Sequence, residues 1–182
     1  MANAQPIESG YSRPARWLHW LTAAGVFILV PVAVAMTNLG EGALTNALYE
    51  LHKSVGMIVF VIVLVRIYVR LSRGAPPPEA GLSAFERTVS TWVHRAMYAI
   101  VFVMPILGFA GTSMCCAPVN LFWTIPIPFG FSGSEETTKR IFAVHTTLGF
   151  VLTGLVALHL AGVLYHALIK RDGVLRRMLP TA

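Results

Sequence analysis

The sequence predicts an all-α protein: a four-helix bundle integral to a membrane. Composition points there first, because 55% of the 182 residues are hydrophobic and 12% are charged, with a mean hydropathy of +0.67. Such a balance belongs to membrane proteins. Four apolar stretches then stand out at 17–36, 52–71, 92–113 and 142–169, each near the roughly 20 residues that a spanning helix needs. The distribution of positive charge completes the reading. Of the fourteen Lys and Arg residues, eleven lie near the N-terminus, around the second connection or at the C-terminus, and only Lys53, Lys139 and Arg140 lie on the other side. The positive-inside rule then puts both termini in the cytoplasm, and 1–182 forms one domain. The net charge of +6 is accounted for by topology and anionic lipid headgroups, not by nucleic acid.

The first helix begins at "RWLHW", a histidine flanked by two tryptophans of the kind that anchor a helix at the interface. A cleaved signal peptide is the weaker reading, because the apolar run is long for one. The connection "TNLGEGALTNALYEL" is expected outside. The second connection, "SRGAPPPEAGLSAFERTVST", carries three consecutive prolines and then a helix start, with Ser83 followed by Glu86 three residues on. The third, from Met114 to about Ile141, holds "APVNLFWTIPIPFGF" and is expected to lie over the outer helix ends. Cys115 and Cys116 are adjacent on that side, a spacing from which no redox compartment follows.

All six histidines fall in or at the ends of the helices. "VHTTLGFVLTGLVALHLAGVLYH" contains three, His145, His159 and His166, at spacings of fourteen and seven. At 100° and 1.5 Å per residue they share one stripe, and the first two are about 21 Å apart. The up-and-down topology then suggests two pairs, His52 with His145 at the outer level and His19 with His159 at the inner level. Two histidines facing each other across an apolar bundle are the axial ligands expected of a b-type haem. Ala23, Gly56 and Gly149, four residues after His19, His52 and His145, and Gly162, three after His159, leave room for a flat macrocycle. Such residues also serve plain helix packing. Arg66, fourteen residues after His52, shares its stripe and suits a haem propionate; Arg70 either helps or snorkels to the surface. A zinc or di-iron centre fits less well, since no helix interior holds an Asp or Glu. His94 and His166 lie near the cytoplasmic end, either as interfacial residues or as part of a proton-accepting quinone site.

These motifs resemble the bacterial cytochrome b561 family, membrane di-haem cytochromes related to the cytochrome b subunits of nickel–iron hydrogenases. The resemblance is carried by "RWLHW", "LHKSVG…VLVRIYVRL", "HRAMYAIVFVMPILG" and "HTTLGFVLTGLVALHLAGVLYH…LRRMLP", and is strongest to the four-helix branch that contains superoxide oxidase. It implies two haems b bound through His19, His52, His145 and His159, with His94, Tyr98, Pro105 and His166 also fitting the pattern. The proline-aromatic outer loop and the cysteine pair depart from it.

The function implied is a superoxide:ubiquinone oxidoreductase, passing electrons from superoxide through two haems to ubiquinone. Superoxide is a small anion, and the three outer cations Lys53, Lys139 and Arg140 are expected to steer it. The alternative is an electron-transfer subunit relaying electrons to quinone from a redox partner protein, a dehydrogenase or hydrogenase. A bundle whose histidines bind nothing would give a colourless preparation.

Overall fold

In a computed structural model of the chain, residues 10–116, 119–127 and 130–179 are described. Four helices dominate: α1 (Arg13–Asn38), α2 (Ala43–Arg73), α3 (Ala84–Cys115) and α4 (Glu135–Leu164). All four are long and apolar enough to cross a membrane. They are also longer than the apolar stretches alone. α1 starts early because Ser12 is extended and Pro14 occupies the first helical turn, where its missing N–H costs nothing. α2 begins at Ala43, inside the segment expected as a connection, since only Leu39 to Gly42 separates it from α1. It ends at Gly74, whose φ of 70° favours glycine, with Arg70 and Arg73 in its last turn. The expected start at Ser83 is a complete capping box: Glu86 N–H donates to Ser83 Oγ at 3.2 Å, and Ser83 N–H donates to Glu86 Oε2 at 2.7 Å. α4 is capped by Ser134 and carries Glu135 and Glu136 in its first turn, where the helix dipole favours negative charge. It widens into a π-helical turn, Tyr165–Lys170, and stops at Arg171, which has a φ of 53°.

The helices alternate in direction. Early α2 meets early α4 at His52 and His145, whereas early α1 and early α3 meet late α4 at His19, His94 and His159. α1 packs chiefly on α2, and α3 on α4. Large side chains such as Phe27, Val61, Phe150 and Leu158 remain exposed, which suits helices whose outer faces meet lipid.

One end of the bundle holds the described parts of both terminal segments. There the C-terminal strap crosses the helix ends: Trp20 Nε1 donates to the Met178 carbonyl at 2.8 Å, Lys170 pairs with Glu86 at 3.0 Å, and Arg177 pairs with Glu79 at 3.5 Å and donates to the Pro77 carbonyl at 2.7 Å. The opposite end carries a small hairpin, β1 (Asn120–Leu121) against β2 (Ile125–Pro126), turning through Phe122 and Trp123 at positive φ. Ser54, fully buried in α2, accepts a hydrogen bond from Phe122 N–H at 2.8 Å. The proline-aromatic segment is thereby pinned two residues from His52.

α1 and α2 approach most closely at Gly25, where a Cβ would meet Val59 Cγ2 at 2.3 Å. Val59 is itself 2% exposed, so it has little room to yield. Overpacking of this kind costs about 1–3 kcal/mol. Gly25→Ala is expected to lower the thermal unfolding midpoint of the purified protein by several degrees, and adding Val59→Ala should recover part of that loss; an unchanged midpoint in Gly25→Ala would contradict the contact.

Candidate functional site

Two levels of paired histidines occupy the bundle. At the hairpin end, the rings of His52 on α2 and His145 on α4 face each other with centroids 6.3 Å apart and planes at 69°. At the terminal end, His19 on α1 and His159 on α4 do the same, at 6.3 Å and 75°. The fourteen-residue spacing on α4 sets the two levels about 21 Å apart along the helix. A metal–imidazole bond measures about 2.0 Å and an imidazole ring has a radius of roughly 1.15 Å, so two rings on opposite sides of one metal ion have centroids about 6.3 Å apart. Both pairs match that span.

The hairpin-end pair has a further property. Nδ1 of His52 and Nδ1 of His145 are buried, with the Leu29 backbone beside the first ring and the Met104 backbone beside the second, so two polar rings are set into an apolar slot with little else to bond to. Gly108 of α3 admits His145: a Cβ there would lie 3.2 Å from its Cε1. Among the described residues no three His, Cys, Asp or Glu side chains are grouped to hold a bare metal ion. Two nitrogens per level, set in apolar walls, fit a planar metal macrocycle that supplies its own remaining ligands.

The terminal-end pair is more polar. Arg66 Nη2 lies 3.0 Å from His19 Nδ1, and the guanidinium sits over the Tyr98 ring at 4.7 Å. A guanidinium has no acceptor, so Nδ1 accepts and the proton of the neutral imidazole resides on Nε2. For His19 to offer Nε2 to a metal, Arg66 must turn its donor elsewhere. The small cleft lined by Tyr11, Arg66, Arg70 and Tyr98 is where an anionic group would receive it. His94 of α3 joins this level, its ring 5.0 Å from that of His159. Its Nδ1 lies 2.6 Å from the Ser90 carbonyl, an acceptor, so Nδ1 carries the proton and Nε2 is left free.

His166 is buried at 9% exposure, and its Nδ1 bonds Asp172 Oδ2 at 2.6 Å. Its other ring contact is with Tyr165. Asp172 went unnoticed in the sequence because it lies beyond the helix, where the π turn and the left-handed Arg171 bring the chain back. Burial alone would raise the Asp172 carboxyl, but hydrogen bonds from His166 and from Val174 N–H outweigh it and hold the group below its ordinary range.

The three hairpin-end cations are each matched by a carboxylate on their own helix. Lys53 pairs with Glu50, Lys139 with Glu135 at 2.6 Å, and Arg140 with Glu136 at 2.5 Å. The Lys53 pair is mostly buried; the other two are exposed. Ser54 and Glu50, which hold the hairpin and Lys53, carried no sequence signal beyond their nearness to His52.

Comparison with known proteins agrees with this geometry. The profile of a family described as prokaryotic cytochrome b561 matches residues 10–181. Among curated proteins, cytochrome b561 homolog 2 of Escherichia coli (strain K12) is 26% identical over 163 residues, covering 88% of this chain and 86% of that protein. Cytochrome b561 homolog 1 of the same organism is 24% identical over 171 residues, covering 93% and 97%. A cytochrome b carries haem b, and paired histidines inside an apolar helical bundle suit such a group. The chain belongs to the prokaryotic cytochrome b561 family, as a membrane electron-transfer cytochrome b.

Proposed function

We propose that the chain binds two haems b and carries electrons from superoxide at the hairpin end to ubiquinone at the terminal end. The observation that carries this reading is the shared 6.3 Å separation of the two histidine pairs on separate levels. His52 and His145 would hold one haem, His19 and His159 the other. Each haem would supply a one-electron carrier whose potential the surrounding residues tune. Arg66, and Arg70 beside it, would bind a propionate. The excess of Lys and Arg at the terminal end supports a cytoplasmic location for both termini, with the hairpin outside.

The overall reaction is balanced by two superoxide anions, one ubiquinone and two protons giving two dioxygen molecules and one ubiquinol. The chain's task at the terminal end is to deliver protons. His166 donates from Nδ1 to Asp172, so Nε2 is the atom that can take a proton and hand it on, with the Asp172 anion facing the resulting imidazolium. His94, with Nδ1 committed to the Ser90 carbonyl, offers Nε2 in the same way. A ubiquinone headgroup entering from the membrane at this end would take its protons from one or other of these histidines, which contact different partners, His159 for His94 and Asp172 for His166.

A second reading has its own support. Because Lys53, Lys139 and Arg140 are each paired with a carboxylate, the hairpin end presents less net positive field than three free cations would. Phe122, Trp123 and Ile125 at the hairpin are also exposed. Both features suit docking of a redox partner protein that supplies electrons in place of superoxide.

Three experiments test these readings. Replacing His52 or His145 by Ala is expected to remove one component of the reduced-minus-oxidised visible spectrum and about half of the haem, and replacing His19 or His159 the other half, since an axial ligand is lost. If His52→Ala and His159→Ala remove the same component, the pairing is wrong. Changing Lys53, Lys139 and Arg140 together to Gln should slow haem reduction by superoxide and flatten its dependence on ionic strength, because steering is a screened effect on association rate. An unchanged rate and salt slope would favour the partner-protein reading. Finally, His94→Ala combined with His166→Ala should leave both haems bound and reducible while ubiquinone reduction falls roughly a hundredfold, the scale of a lost general acid. Normal quinone turnover in that double variant would move the quinone site to the hairpin end.

A further inference from the structure

Cys115 and Cys116 take no part in the electron path described above, and they are not free thiols: the two sulfurs are joined in a disulfide at the hairpin-end terminus of α3. The two Cα atoms are 3.7 Å apart, as adjacent residues across a trans peptide must be, and below the roughly 4.4–6.8 Å that disulfides ordinarily span. Such a bridge closes no loop of the chain, so it contributes little to stability through chain entropy. Both residues are also exposed. Connectivity and exposure together describe the labile class of disulfide, not the structural one.

The surroundings supply a place for a reductant. A half-open surface cleft of about 390 Å³ lies against Cys115, lined also by Met114, Glu135, Thr138, Lys139 and Phe142. That is the size of a small-molecule site. One wall is the Lys139–Glu135 ion pair, at 2.6 Å and largely exposed, which offers a positive and a negative partner side by side. We propose that Cys115–Cys116 is a thiol–disulfide exchange site, reduced by a small zwitterionic thiol that binds in this cleft between α3 and α4.

The chemistry is self-contained. A thiolate attacks Cys115 Sγ, the Cys115–Cys116 bond breaks, and Cys116 leaves as a thiolate that takes up a proton. A second thiol then attacks the mixed disulfide on its own sulfur. Two small thiols become one small disulfide, and both cysteines end as thiols.

The site also adjoins the point where the chain returns from the hairpin. Phe131 N–H donates to Ser113 Oγ at 3.0 Å. A Cβ on Gly130 would lie 2.9 Å from Ser113 Cβ, and one on Gly133 would lie 2.7 Å from Met114 Sδ. The last turn of α3 thus holds both the disulfide and the returning chain, so opening the ring frees Cys115 and Cys116 to change backbone conformation beneath a tightly fitted segment. Reduction is expected to loosen the contact at Ser113 and Met114.

The test uses the purified full-length cytochrome with its haem, in detergent, and does not depend on the direction of membrane insertion or on the identity of the electron donor. The protein is equilibrated in glutathione buffers of increasing reduced-to-oxidised ratio, alkylated, and mapped by mass spectrometry. Cys115 and Cys116 are expected to become more than half alkylated at a ratio that leaves an ordinary structural disulfide intact, with glutathione captured on Cys115 at intermediate ratios. Amide hydrogen exchange at Phe131 should accelerate about tenfold over the same range, as for a local opening. The variant Cys115→Ser with Cys116→Ser should show the fast exchange throughout, with no response to glutathione. Free thiols in protein isolated under air, or a disulfide that stays oxidised until the protein unfolds, would overturn the proposal. Reduction by thioredoxin but not by glutathione would overturn the small-thiol assignment.

Discussion

The structure is organised by the cost of placing imidazoles inside an apolar bundle. A neutral polar ring without a partner in such surroundings costs free energy of the order of 1–3 kcal/mol, and α4 carries two of them, His145 and His159, on one face. Each is answered by a histidine from another helix: His52 of α2 and His19 of α1. Those two demands define how α1 and α2 stand against α4, and they force α1 to run opposite to α2. α3 completes the enclosure by bringing Gly108 against His145 and His94 against His159. Helix direction, register and the small residues at close approaches all follow from keeping four nitrogens facing inward in twos.

The two ends of the bundle are built on different electrostatics. At the hairpin end, charge is neutralised locally, each cation by a carboxylate three or four residues away on the same helix. Pairs of that kind, where exposed, contribute little to stability, and they leave the histidine level with few mobile charges nearby. At the terminal end, the ion pairs join distant parts of the chain: Lys170 to Glu86, and Arg177 to Glu79. They tie the C-terminal strap to the start of α3 and to the linker before it. His166, buried in the π turn that ends α4, is tied to this strap by its hydrogen bond to Asp172.

The loop at the other end shows how an apolar connection is kept in place. Its backbone needs hydrogen-bond partners, and α2 and α3 provide one side chain each, Ser54 for Phe122 N–H and Ser113 for Phe131 N–H. The hairpin therefore rests on the same turn of α2 that carries His52. Its aromatic tip at Phe122 and Trp123 faces outward, where the amphipathic tryptophan ring is suited to the membrane interface.

The four spans, their alternation and the pairing of the interior histidines were legible in the sequence, because apolar length and the fourteen-residue spacing are local or periodic properties that a helix converts directly into depth. The capping box at Ser83 and Glu86 was legible for the same reason. Helix ends were not. α4 begins before its apolar stretch because the Ser134 cap and the first-turn Glu135 and Glu136 carry the helix past the hydrophobic boundary, and α2 begins before its own with neither device. Contacts made across the chain were also hidden: Arg66 on His19, Asp172 on His166, and Ser54 on Phe122. These depend on rotamers and on where a chain turns back after its helix stops, at Arg171 or at Phe122 and Trp123 with positive φ. No spacing rule encodes such turns, so tertiary packing alone decided which polar groups meet.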